Sequence, residues 1–174
     1  MLKPFSNITS NIRVQPVQDR AAYELIEQMA KDILPAVYRT HVPANHVSYF
    51  LKKYQTADVI EHQVAKENYS YFFLMYDDAI AGFLGLQLLK DKLNLSKIYL
   101  LPAFRGKQIG KVALAFTDEF AQAHGKSSIE LIVTRSNQSA IAAYQRSGYT
   151  ILQPILSDFP NGYAIPNYKM RKQL

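Results

Sequence analysis

Fourteen residues, Ile98–Lys111, limit the possible folds more than any other part of this chain. A β-rich run, Ile98-Tyr99-Leu100-Leu101, meets Pro102, passes through Arg105-Gly106-Lys107-Gln108 and enters a helical pattern at Ile109-Gly110-Lys111. Ile109, Val112, Ala113, Phe116, Phe120 and Ala123 then recur every three or four positions as far as His124-Gly125. That spacing is one apolar face of a helix, and glycine is a common residue just past a helix end. A strand delivered by a short turn into such a helix calls for a sheet beneath the helix, the arrangement of a mixed α/β fold.

The flanking segments fit around this unit. Asn11–Gln15 reads as a short strand ending at Pro16, followed by a helix from Val17 to about Leu34 with Ala21, Leu25, Met29 and Ile33 on one face, stopped by Pro35. Pro43 opens a second helix carrying Val47, Phe50, Leu51 and Tyr54, and Val59–Lys66 forms a third behind Thr56 or Asp58 as N-cap. Ser70–Tyr76 and Ile80–Leu89 form a hairpin around Asp77-Asp78, and Leu93–Leu101 follows as a third antiparallel strand. Ser128–Val133 is a short strand and Asn137–Ser147 a helix capped by Gly148. Tyr149–Leu152 and Tyr163–Met170 are the last strands, separated by the turn-rich Ser157–Gly162. Alternation within Tyr71-Phe72-Phe73 places Tyr71 and Phe73 on one face of the sheet and Phe72 on the other.

With 174 residues, no internal repeat and no Gly/Ser linker, residues 1–174 read as one domain, large enough to build its core without staples. The absence of Cys removes disulfides, thiolate metal sites and thiol nucleophiles. His41, His46, His62 and His124 show no metal-ligand spacing, so no metal is expected. No apolar run is long enough to cross a bilayer and no leader peptide is visible, which predicts a soluble, cytoplasmic protein with no membrane partner.

Charge is uneven. Residues 1–91 hold 9 Lys/Arg and 10 Asp/Glu, net −1, whereas residues 92–174 hold 11 and 4, net +7. A basic half suits a polyanion or a phosphorylated cofactor. On charge alone, a solvated basic surface is the simpler account. Nucleic acid is not expected as a partner, because no cluster of Arg/Lys on a recognition helix and no RNA-binding aromatic motif is present.

The turn itself has anion chemistry. Backbone N–H groups in the first turn of a helix lack intrahelical partners and carry the positive end of its dipole. Gly106 and Gly110 let a ligand approach the main chain, and Arg105, Lys107 and Lys111 bring positive charge to the same point. A glycine-containing turn with solvated lysines explains this pattern equally well by itself. It matches neither a Walker loop nor GxGxxG.

A second element changes the reading. Behind the strand Ser128–Val133 lie Asn137, Ala140, Tyr144, Gly148 and Tyr149. Together the two elements resemble the GNAT acetyltransferase superfamily. Arg105-Gly106-Lys107-Gln108-Ile109-Gly110 stands for its [RQ]-x-x-G-x-[GA] loop, and Asn137–Tyr149 for its N-x-x-A-x-x-x-Y-x-x-x-G-[FY] pattern. The likeness is strong over residues 93–150 and looser before them. Gln108 occupies the position of the loop's first fixed glycine, while Gly110 is intact.

The resemblance implies a mixed, mostly antiparallel sheet flanked by helices, whose two central strands splay apart to hold acetyl-CoA. It implies that Ile98, Tyr99 and Leu100 contact the pantetheine arm, that Arg105, Gly106, Lys107, Gln108, Ile109, Gly110 and Lys111 hold the pyrophosphate, and that Asn137 hydrogen-bonds the arm. It implies that Tyr144 protonates the departing CoA thiolate; a buried aromatic packed on the sheet is the structural alternative for that side chain. Many members carry a glutamate base early in the central strand, but Leu93-Asn94-Leu95-Ser96-Lys97-Ile98 has no carboxylate, and no base is assigned.

Direct acetyl transfer from acetyl-CoA to a primary amine is therefore expected, with a small molecule such as a polyamine or amino compound favoured by the layout of the first half. A protein N-terminus or lysine is the alternative acceptor, and a non-catalytic CoA-binding regulator the alternative activity. Homodimers are common among such proteins. His41 and His46, in the segment that lines the acceptor pocket in the family, are acceptor-side candidates, although surface histidines are commoner. Asp158 could meet a cationic amine or simply serve its turn. Lys169, Arg171 and Lys172 read as solvated.

Overall fold

The computed structural model of the chain describes residues 11–40, 42–159 and 162–174. Seven strands form one sheet: β1 (Ile12–Val17), β2 (Tyr69–Tyr76), β3 (Ala79–Leu88), β4 (Leu93–Leu100), β5 (Ser128–Thr134), β6 (Thr150–Asp158) and β7 (Ala164–Gln173). Their order is β1-β2-β3-β4-β5-β7-β6. The pairs are antiparallel except β4–β5, which is parallel. Among the described residues five α-helices complete the fold: α1 (Arg20–Tyr38), α2 (Ala44–Tyr54), α3 (Ala57–Lys66), α4 (Ile109–Ala123) and α5 (Gln138–Arg146).

Two cores lie on opposite faces of the sheet. Tyr71, Phe73 and Met75 of β2 join Ile26, Ile33 and Leu34 of α1 and Ile60 of α3. Phe72 and Leu74 turn the other way onto Phe116 and Phe120 of α4, where Phe72 meets Phe116 edge to face at 4.9 Å between ring centres. The predicted alternation along β2 therefore holds, as it must when both faces of a strand are buried.

Two prolines depart from the expectation. The helix predicted to stop at Pro35 runs through it to Tyr38. Proline removes one hydrogen bond to the preceding turn and crowds that turn's carbonyl. Here only the final turn lies beyond Pro35, and Val37 and Tyr38 pack against the α1 core to offset the loss. Pro16, expected to end the first strand, lies inside β1 opposite Phe72. An edge strand tolerates a residue without N–H where that position faces away from its neighbour, and β1 is an edge. Near the C-terminus, β6 continues through Ser157 and Asp158, which the sequence places in a turn, because both pair with β7.

The centre of the sheet opens. β4 and β5 pair only at Leu93↔Ile129 and Asn94↔Glu130, although both strands continue. Glu130 ties the closed end: it meets Lys92 at 2.8 Å and bonds to Arg171. Burial works against its charge, yet Lys92 and Arg171 hold its carboxyl below the ordinary carboxylate range. Beyond that clamp, β4 has a register shift against β3, with Gly85 opposite Lys97 and Leu86 opposite Leu95. Ser96 is the extra residue, and a bulge of this kind reverses which face the following side chains take. Leu93 and Leu95 belong to the α4 core, whereas beyond the bulge Tyr99 packs against the α1 core.

Candidate active site

A cleft of about 1150 Å³ occupies the opening between β4 and β5. Leu95, Ser96, Ile98, Tyr99 and Leu100 form one lip and Ile132, Val133 and Thr134 the other. Strand main chain lines both sides without a partner strand across the gap, so a ligand that pairs with peptide groups can enter as an additional strand would.

One end of the cleft is basic and built on the turn before α4. Arg105, Gly106, Gly110 and Lys111 line it. Gly106 has φ of 76°, a left-handed conformation that disfavours any Cβ. Gln108 is the N-cap residue of α4 and is also left-handed, at φ 63° and ψ 7°. This explains why glycine suits that position: an L-residue there costs about 1–2 kcal/mol. No side chain caps the helix start, so its first N–H groups remain available to a ligand.

The predicted loop residues do not all reach the opening. Lys107 lies over the Tyr76 ring at 5.1 Å, and the Ile109 side chain is buried in the α4 core. Neither they nor Gln108 are among the residues lining the cleft. Any contact from Ile109 is through its backbone, since its side chain anchors the helix.

Asn137 and Tyr144 reach the same cleft from α5. Asn137 is the N-cap of α5, its carboxamide oxygen accepting from the Ala140 N–H at 3.3 Å. The oxygen is thus committed to the helix and the amide nitrogen is the group that can donate to a ligand. Burial pushes the Tyr144 phenol well above the ordinary tyrosine range, with the nearby Tyr38 acting in the same direction. Tyr144 therefore stays protonated at neutral pH. It can donate.

Tyr38 is a residue that the sequence reading did not single out. Its hydroxyl lies 3.0 Å from that of Tyr99, joining the last turn of α1 to the β4 lip. Burial raises both phenols as well. Helical spacing combined with tolerance of Pro35 would have been the signal for Tyr38. Beyond this pair the cleft is walled by α2, including His46. His41 lies outside the described residues. Asp158 lines the cleft from the end of β6. β4 carries no carboxylate, and Asp158 is the one carboxylate among the described residues that line the cleft. Lys97 is instead buried on the α1–α3 face, donating to Gln63 Oε1 at 3.0 Å and to the Tyr71 hydroxyl. Burial lowers its ammonium to about 7. No helix among the described residues is long and apolar enough to cross a membrane.

The residues present suit acetyl-CoA: an open pair of strands for an amide-bearing arm, and a glycine turn with Arg105 and Lys111 for a diphosphate. Comparison with known proteins agrees. Residues 34–149 match the Acetyltransferase (GNAT) family. The chain is 27% identical over 115 residues to the spermidine N(1)-acetyltransferase of Thermoplasma acidophilum, covering 64% of this chain and 71% of that protein. It is 35% identical over 75 residues to the streptothricin acetyltransferase of Streptomyces lavendulae, a match that spans only 40% of that relative and 42% of this chain. In structure it is similar to the PaiA N-acetyltransferase of T. acidophilum in complex with coenzyme A, with a TM-score of 0.77 at 17% identity over 94% of this chain and 99% of that one.

Proposed function

The chain belongs to the GNAT acetyltransferase family, and from that premise we propose that it moves the acetyl group of acetyl-CoA directly onto a small-molecule amine, with Tyr144 as the proton donor to the departing sulfur. The observation that carries the reading is the meeting, in one cleft, of the open β4–β5 lips, the basic glycine turn and the protonated Tyr144.

Acetyl-CoA supplies the thioester carbonyl and, once the acetyl group leaves, a thiolate. Main-chain groups of Ile98, Tyr99 and Leu100 take the pantetheine arm, the donor nitrogen of Asn137 orients it, and Arg105, Gly106, Gly110 and Lys111 hold the diphosphate. Lys107, Gln108 and Ile109 contribute to that turn through their backbone. A neutral amine forms the new C–N bond as the C–S bond breaks. A β4 peptide N–H takes the charge that develops on the carbonyl oxygen. The Tyr144 O–H supplies the sulfur's proton, and the amine gives one up to solvent. Tyr144 is then restored from water, which balances the turnover without a covalent enzyme intermediate.

The spermidine acceptor in the name of the T. acidophilum relative supports an acceptor of small-molecule size. Thiol release from acetyl-CoA, measured across a panel of small amines and a peptide with a free N-terminus and a lysine, is the test. Turnover with a small amine is the expected result. Turnover confined to the peptide overturns the small-molecule acceptor, and acetyl-CoA binding without turnover on any amine marks a regulator instead.

A further inference from the structure

An amine that attacks a thioester must lose a proton, and the usual acceptors in this cleft are poorly suited to take it. The His46 ring meets Phe159 and Tyr163 at 5.5 Å and 4.4 Å between ring centres, and its Nδ1 is enclosed without a hydrogen-bond partner among the described residues. An imidazolium carries a proton on both nitrogens, so His46 could take one up only by burying an unpaired N–H. Asp158 is exposed at the end of β6. A solvated carboxylate is a weak base towards an alkylammonium.

A pair of hydroxyls is better placed. Tyr38 and Tyr99 both line the cleft, and their hydroxyls lie 3.0 Å apart. The Tyr99 ring meets Phe83 at 5.5 Å between ring centres, and the Tyr38 ring meets Phe50 of α2 at 6.0 Å, where the acceptor wall begins. Burial raises the phenols of Tyr38, Tyr99 and Tyr144, and their charges act on one another, Tyr38 on Tyr144 and Tyr144 on Tyr99. The three hydroxyls therefore share one region of the cleft, around the point of acetyl transfer. Tyr38 reaches it only because α1 runs through Pro35. Local preference is broken in this way chiefly at functional sites.

We propose that the Tyr38–Tyr99 hydroxyl pair holds the acceptor amine by its N–H and relays its proton to solvent, in place of a carboxylate base. The inference rests on the acetyltransferase reading above. One hydroxyl of the pair donates to the other, and the oxygen that has given its hydrogen becomes the better acceptor. That oxygen takes the amine N–H and turns the nitrogen lone pair towards the thioester carbon. As the C–N bond forms, the ammonium proton passes to this oxygen and the hydrogen between the two hydroxyls moves across. The second hydroxyl then gives its own proton to water in the cleft. Neither phenol ends ionised, and the proton that Tyr144 gives to sulfur is a separate one.

The experiment begins with calorimetry of acetyl-CoA binding and then measures thiol release with propylamine and with the weakly basic methoxyamine. Tyr38→Phe keeps the ring and removes the hydroxyl. It should lower kcat for propylamine about 10–100-fold, at the low end for a positioned proton-transfer group because cleft water replaces part of the relay. With methoxyamine the loss should stay below about threefold, since its ammonium form gives up the proton without help. A packing defect would cut both rates alike. Tyr99→Phe should behave as Tyr38→Phe does, and the double variant should lose no more than either single one, as groups acting as a unit do. The inference is overturned by an unchanged kcat in Tyr38→Phe, by equal losses with the two amines, by losses that multiply in the double variant, or by a parent protein that binds acetyl-CoA and does not turn over propylamine. Absence of heat from acetyl-CoA removes the acetyltransferase reading itself, and this inference with it.

Discussion

The two faces of the sheet are built on different principles. On the α4 face the core is mostly apolar, and the buried Thr117 satisfies its hydroxyl within its own helix at Ala113 O, 2.8 Å away. On the α1–α3 face the sheet buries Lys97, held by Gln63 and Tyr71, and Tyr71 in turn donates to Gln63 Oε1 at 2.6 Å. The active-site cleft divides in the same way. Its basic end is made largely of main chain, with a left-handed glycine, a helix start and unpaired strands, to which the Arg105 and Lys111 side chains add charge. Its far end is made of side chains, chiefly the rings of α1 and α2. A cofactor of invariant structure can be read by backbone geometry, whereas discrimination among amines requires side chains. The polar core under the acceptor wall makes that half the one whose stability responds to pH.

The largest effect expected lies where the halves meet. Tyr144→Phe should lower kcat by about 10²–10⁴, the usual contribution of a positioned acid, with KM for acetyl-CoA unchanged in a thiol-release assay. An unchanged kcat would reduce Tyr144 to packing and erase the junction between the two regions.

Lys97→Met tests the polar face. Burial brings the Lys97 ammonium from the ordinary 10.5 down to about 7. Between those values the unfolded chain binds the extra proton, so folding stability should rise with pH from about 7 to 10.5, and Lys97 adds no further pH dependence below 7, where both states carry the proton. The slope is at most about 1.4 kcal/mol per pH unit. Thermal unfolding followed across that window should show the rise in the parent protein and a flatter curve in the variant. Equal slopes would mean that the charged form is already accommodated.

On the main-chain side, Gly106→Ala should weaken acetyl-CoA binding by about 5–30-fold, from roughly 1–2 kcal/mol of left-handed strain that the turn must relieve by moving. Calorimetry reads this directly, and an unaltered affinity would show that the diphosphate does not depend on the turn. The smallest change belongs to Gln108→Gly. Relief at φ 63° is opposed by the greater freedom of glycine in the unfolded chain, leaving at most about 1 kcal/mol of gain. Cofactor affinity should tighten no more than a few-fold.

The main-chain half was legible from residue order because its signals are local. Gly106, Gly110 and the α4 stripe lie within one strand–turn–helix unit, and the spacing of Asn137 and Tyr144 is set by a single helix. The acceptor wall was far less legible. Pro35 reads as a stop and hides Tyr38, although packing of Val37 and Tyr38 carries α1 past it. Strict alternation would carry Lys97 onto the α4 face with Leu93 and Leu95, and the bulge at Ser96 sends it to the α1–α3 face instead.

From the sequence alone follow the alternation of strands and helices, the two-sided burial of β2, and the basic, glycine-containing Arg105–Lys111 turn that opens α4, each a matter of neighbours a few residues apart. The tertiary structure decided how far β4 and β5 stay paired, which face Lys97 occupies and where the α2 rings point. Those depend on contacts between segments distant in the chain, where a bulge of one residue or the tolerance of one proline outweighs local preference.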